Sequence, residues 1–114
     1  MDWQLKSKIW LEAGGQPVIG EGRLAMLQAI HLNNSIMRAS QKTGISYRRI
    51  RGAIQDMENV LGHPLVQAYR GGHNGGGADL TPFAHDLSEF FCQLAEGLKD
   101  EVDERLRSIT VQLP

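Results

Sequence analysis

Residues Ile36 to Gly77, IMRASQKTGISYRRIRGAIQDMENVLGHPLVQAYRGGHNGGG, decide how this chain is read. Ser35, just before them, suits the N-cap of a short helix over Ile36–Thr43, with Ile36 and Ala39 facing inward and Arg38 and Lys42 facing out. Gly44 supplies a turn. Ser46 then caps a further helix along which Ile50, Ala53 or Ile54, Met57 and Leu61 recur at three- and four-residue steps. Gly62 stops that helix and Pro64 keeps it stopped. Leu65–Arg70 reads as a strand, Ala78–Thr81 as its partner, and the run from Gly71 to Gly77 as the loop between them. Helix, tight turn, helix and a glycine-tipped strand pair make the order of a winged helix-turn-helix.

Upstream, Lys6–Glu12 alternates apolar Ile9 and Leu11 with polar Lys8 and Glu12, Trp10 facing the other way. Gly14-Gly15 turns the chain into a return strand at Pro17–Ile19, giving a hairpin over residues 6–20. Two strands alone are marginal, so the hairpin must pack on the helices or on another subunit. Leu24, Met26, Leu27, Gln28 and Ile30 then mark a scaffold helix from Glu21 to Leu32. Downstream, Phe83, Leu87, Phe90 or Phe91, Leu94, Leu98, Val102, Leu106 and Ile109 form one apolar stripe, predicting a long helix over 82–110. One small domain has too little surface to cover that stripe. The first half is expected on the core and the second half, through Leu94, Leu98, Val102 and Leu106, on a partner as an antiparallel or coiled helix pair, the alternative being a helix wholly within the core of its own chain. The expected fold is mainly α with a small β component: a single domain over 1–114 with a winged core at 21–81 between hairpin and dimerisation helix.

At 114 residues the chain is of single-domain size, with ordinary hydrophobic (41%) and charged (22%) fractions that exclude disordered and disulfide-rich classes. The one cysteine, Cys92, sits among apolar neighbours and suits a buried thiol in a reducing compartment. No apolar run is long enough to span a bilayer, so a cytoplasmic location is expected, with no membrane partner. The net charge of −1 hides a division at Gly77: nine Lys/Arg minus five Asp/Glu leaves +4 before it, and three minus eight leaves −5 after it.

The face of the second helix opposite the apolar stripe carries Tyr47, Arg48, Arg51 and Gln55, with Arg49 at the flank. Near a helix N-terminus such side chains reach phosphates and base edges, whereas the bland alternative is a solvated face paired to Asp56 and Glu58. Tyr47 has an equal claim to packing on the preceding helix. The glycine loop lacks the Gly-Lys-Ser/Thr ending of a nucleotide-binding P-loop and joins two strands instead of opening a helix. It reads as a wing, with Arg70, His73 and Asn74 as donors to DNA. His31, His63, His73 and His85 are scattered over different elements and show no metal or catalytic spacing, so neither enzyme nor cofactor nor small-molecule ligand is expected.

The residues Gly44-Ile45-Ser46-Tyr47-Arg48, Met57-Glu58, Leu61-Gly62, Pro64-Leu65-Val66, Gly71-Gly72, Gly75-Gly76-Gly77-Ala78 and Leu80-Thr81 resemble the N-terminal domain of molybdate-responsive regulators of the ModE type. Lys8-Ile9-Trp10-Leu11-Glu12, Gly20 and Arg23 extend the likeness, and a looser one reaches the LysR-type winged helix. The resemblance implies that Ser46, Tyr47, Arg48 and Arg51 lie on a recognition helix, that Arg70–Gly77 form the wing, and that the protein is a homodimer. Nothing in the chain offers the paired oxyanion pockets of the full regulator, so molybdate sensing is not carried over. The expected function is a sequence-specific, dimeric regulator on a roughly palindromic operator. The alternative is a dimeric winged-helix adaptor that binds proteins through Trp3, Trp10 and the long helix, without DNA.

Overall fold

The computed structural model describes residues 2–70, 77–109 and 113. In chain order it contains β1 (Trp10–Ala13), β2 (Gln16–Gly20), α1 (Glu21–Asn33), α2 (Ile36–Thr43), α3 (Tyr47–Leu61), β3 (Val66–Tyr69), β4 (Gly77–Leu80), α4 (Pro82–Ala95) and α5 (Leu98–Ser108). Both strand pairs are antiparallel: Leu11 opposes Ile19 in the first, with an irregularity after Leu11, and Val66 opposes Leu80 in the second. The first strand begins at Trp10 and not at Lys6, because β2 ends at Gly20 and offers earlier residues nothing to pair with.

The hairpin packs on helices of its own chain. β2 turns Val18 and Ile19 into the core against α1 and α3, joining Leu27, Ile30, Ile50, Met57 and Leu65. α1 buries Met26, Leu27, Ala29 and Ile30 and leaves Gln28 exposed. It ends at Asn34, whose left-handed φ of 50° lets its N–H reach the Ile30 carbonyl. The same residue's carbonyl accepts the Ala78 N–H at 3.0 Å and so fastens β4 to the end of α1. Beside it Gly77 is packed so tightly that a Cβ there would run into the Asn34 carbonyl oxygen and come within 2.9 Å of the Tyr69 hydroxyl.

Thr81 joins the strand pair to α4. Buried, it accepts the Ala84 N–H as N-cap ahead of Pro82 and donates to the Pro64 carbonyl at 2.8 Å, while its N–H reaches the Leu65 carbonyl. Every polar atom of this buried residue is therefore used, as low-dielectric surroundings demand. α4 puts Ala84 and Phe91 (2% exposed) into the core and leaves Phe90 outside at 55%.

The long C-terminal helix expected over 82–110 is two helices. Gly97 takes φ 82°, ψ −13°, a left-handed conformation that stops α4 after Ala95 and starts α5 at Leu98. The apolar stripe continues across the break, so its periodicity concealed the stop. α5 has no buried residue. The chain measures 63 × 31 × 21 Å with a radius of gyration of 18.0 Å, against about 13 Å for a compact domain of this length. Cys92 is half-buried rather than buried, on the side of α4 away from Phe90.

Candidate nucleic-acid interface

The geometry of the α2–α3 unit follows from a few short side chains. Ser35 Oγ accepts the Arg38 N–H and Ser46 Oγ accepts the Arg49 N–H, each at 3.1 Å, so both helices start at a serine cap. Between them Gly44 adopts φ 76° and its N–H returns to the Ser40 carbonyl. Ser40 Oγ donates to the Ile45 carbonyl at 2.6 Å, and Thr43 Oγ1 both donates to the Ala39 carbonyl and accepts the Ile45 N–H. Ala39 is fully buried, the small side chain that lets α2 and α3 cross closely. The turn is thus held by side-chain bonds at each of its ends.

α3 buries Ile50, Ala53, Ile54 and Met57, both candidates for the second apolar position being inside. The opposite face exposes Tyr47, Arg48, Arg51 and Gln55, with Arg49 also exposed. Tyr47 stands 42% exposed rather than packed away on α2. Gly52 and Asn59 lie on the same face as Arg48 and Gln55, and sequence reasoning passed over both; counting 100° per residue from the buried stripe finds them. Arg38 and Lys42 are exposed on α2, and Arg70 is exposed at the end of β3. His73, Asn74 and the rest of Gly71–Gly76 lie outside the described residues.

The acids expected to neutralise the α3 arginines are engaged elsewhere. Asp56 pairs with Arg23 of α1 at 3.1 Å, and the Glu58 carboxylate accepts the Leu65 N–H at 2.7 Å. Among the described residues Arg48, Arg49 and Arg51 make no ion pair. Three guanidinium groups thus stand on the exposed side of one helix with their donors unpaired by any acid of the described residues.

Leu98, Val102 and Leu106 line a groove of about 650 Å³ with Trp3, Leu5 and Ile9 of the N-terminal segment. Leu94 is exposed on α4 and lies outside that groove. The acidic side chains Glu96, Asp100, Glu101 and Glu104 are also exposed on this C-terminal portion, with Asp103 half-buried.

The histidines are less scattered than their spacing suggests. His31 at the end of α1, Asp79 of β4 and His85 of α4 converge: His31 Nδ1–H donates to Asp79 Oδ1 at 2.9 Å, and the His31 and His85 rings meet edge to face, 4.7 Å between centroids. The Asp79 carboxyl is held below the usual carboxylate range, chiefly by the His31 hydrogen bond, helped by the Leu80 N–H and opposed by partial burial. His31 lies about fifty residues from Asp79 and His85 in sequence, and that separation left no signal of this cluster.

No protein-family model matches the chain. Among curated proteins it is 38% identical over 80 residues to the molybdenum-pterin-binding protein MopB of Rhodobacter capsulatus, a match covering 70% of this chain and 30% of that protein. It is 32% identical over 95 residues to the molybdenum transport protein ModE of Azotobacter vinelandii, covering 81% and 35%. To the DNA-binding transcriptional dual regulator ModE of Escherichia coli K12 it is 36% identical over 74 residues, covering 65% and 28%. The chain thus spans about a third of the length of the curated relatives it matches. Among solved structures, the BenM DNA-binding domain in complex with benA site 1 DNA superposes with TM-score 0.55 at 22% identity, over 80% of this chain and 97% of that one. Full-length BenM gives 0.56 at 23%, over 80% and 28%. At such identity the structural likeness speaks for the fold alone, a winged helix. By sequence and by architecture together, the chain is a ModE-like winged-helix domain.

Proposed function

We propose that this domain binds double-stranded DNA sequence-specifically, as a homodimer on a roughly palindromic operator, and acts as a transcriptional regulator. One observation carries the reading: Arg48, Arg49 and Arg51 stand exposed on α3 with their acidic neighbours engaged elsewhere. The E. coli relative, named a DNA-binding transcriptional regulator, and the BenM DNA complexes support it. In this reading Arg48, Gln55, Arg51 and Tyr47 face base edges in the major groove, and Gly52 leaves room for the helix to approach. Arg38, Lys42, Ser46, Arg49 and Arg70 hold phosphates, with His73 and Asn74 completing the wing. Exposed Leu94 and Leu106, with half-buried Leu98 and Val102 between them, join two copies, so that two α3 helices meet major grooves about 34 Å apart.

The test is fluorescence anisotropy of the protein on a labelled duplex titrated with salt, followed by selection of bound sequences from a random pool. The expected result is affinity that falls steeply with salt, because each phosphate contact releases condensed counterions, and enrichment of a two-fold symmetric site. On that site Arg48→Ala should lose about 1–3 kcal/mol and relax specificity at one base pair. Absence of duplex binding even at low salt would overturn the reading in favour of a protein-binding adaptor.

A further inference from the structure

We propose that His31, Asp79 and His85 form a binding site for one divalent transition-metal ion of the Zn²⁺/Co²⁺/Ni²⁺ class, which ties β4 to both α1 and α4. The three side chains come from three elements and each offers a ligand atom within 4.8 Å of the others. Two imidazoles and a carboxylate suit borderline divalent ions, and not Mg²⁺ or Ca²⁺, which take oxygen donors. Donors bound to a tetrahedral Zn²⁺ at its usual bond lengths lie roughly 3.3–3.4 Å apart. The cluster therefore closes by a modest rotation of side chains, two of which are exposed.

The carboxylate is prepared for the role. Both of its hydrogen bonds, from His31 Nδ1–H and from the Leu80 N–H, fall on Oδ1; among the described residues none reaches Oδ2. The backbone around it is fixed on either side, Ala78 by the Asn34 carbonyl and Thr81 by the Leu65 and Pro64 carbonyls. A carboxylate donor on a fixed strand between two exposed imidazoles gives a preformed half-site whose remaining position is open to a water ligand. The position has consequences for the fold, since β4 pairs with β3 and α4 leads towards α5. An ion bound to all three ligands would hold these parts on the end of α1 as a single unit.

The experiment is titration of the untagged, chelator-treated full chain with Co²⁺, followed by its visible absorption, with Zn²⁺ as competitor. The expected result is one equivalent of Co²⁺ giving a low-symmetry spectrum that Zn²⁺ abolishes, together with a rise in Tm on adding Zn²⁺. His31→Ala and His85→Ala should each weaken binding at least about tenfold, and Asp79→Asn similarly, while His63→Ala and His73→Ala leave it unchanged. Far-UV circular dichroism of the metal-free variants checks that they fold, as exposed His31 and His85 should allow. Absence of a spectrum at millimolar Co²⁺, or one that survives the His31→Ala/His85→Ala double variant, overturns the proposal. Neither outcome bears on duplex binding by α3, which is read separately in chelator.

Discussion

Arg23 of α1 and Asp56 of α3, 33 residues apart in sequence, meet at 3.1 Å, and the same guanidinium donates through Nη1 to the Val18 carbonyl at 2.9 Å. One side chain thereby holds the scaffold helix, the arginine-bearing helix and the hairpin. Asp56 is largely exposed, whereas Arg23 is mostly covered. The two halves of the interaction should therefore differ in worth. Asp56→Asn removes a screened surface pair and should cost under about 1 kcal/mol. Arg23→Ala also orphans a half-buried carbonyl and should cost about 1–3 kcal/mol. Urea denaturation of both variants decides; equal losses would mean the Val18 bond contributes nothing.

Gly52 sits in the middle of α3 with open space where a Cβ would be. A mid-helix glycine costs roughly 0.5–1 kcal/mol relative to alanine. Gly52→Ala should accordingly raise stability by about that amount, yet weaken DNA binding if the bare backbone serves close approach to the groove. Paired measurements of unfolding and of operator affinity check the trade; a stabilised variant with unchanged affinity would assign Gly52 no part in binding.

Val102 lies half-buried in the groove between α5 and the N-terminal segment. Because no residue of α5 is fully buried, Val102→Glu should leave the winged core folded and shift the protein from dimer to monomer. Sedimentation velocity across a dilution series reads the change. A variant that sediments like the wild type would remove α5 from the dimer interface.

The Asp79 carboxyl is held below its ordinary range by His31, so the folded state binds its proton more weakly than the unfolded chain does. That contribution is present above the ordinary carboxylate range and is lost as pH falls through the lowered value. Both groups are partly exposed, so it amounts to no more than about 1 kcal/mol. Stability measured in chelator from neutral to acid pH should fall less steeply for Asp79→Asn than for the wild type; parallel curves would refute the pairing.

The helix-turn-helix was legible because its punctuation is local. Ser35, Gly44, Ser46 and Gly62 each perform in the structure the capping or turning role their residue type implies. Two features escaped for opposite reasons. The stop at Gly97 was masked by a stripe whose spacing runs on from Leu94 through Leu98 to Val102, and periodicity outweighed a single glycine. The His31–Asp79–His85 cluster depends on how β4 is seated against α1, a tertiary fact that no spacing along the chain encodes. Within α3 the arginines were readable as exposed, but their freedom was not: it required knowing that Asp56 turns to Arg23 and Glu58 to the Leu65 amide.

The crowding at Gly77 bears on how this sequence can change over time. Any side chain there would displace the Asn34 carbonyl or the Tyr69 ring, and with it the seat of β4. The glycines at 14, 15 and 62 have open space around them, so replacing them meets only backbone preference. A saturation library of this domain should consequently show graded tolerance at those turns and an abrupt cliff at position 77, where even alanine is excluded. Whatever sequence connects β3 to β4 must therefore arrive at that one bare residue.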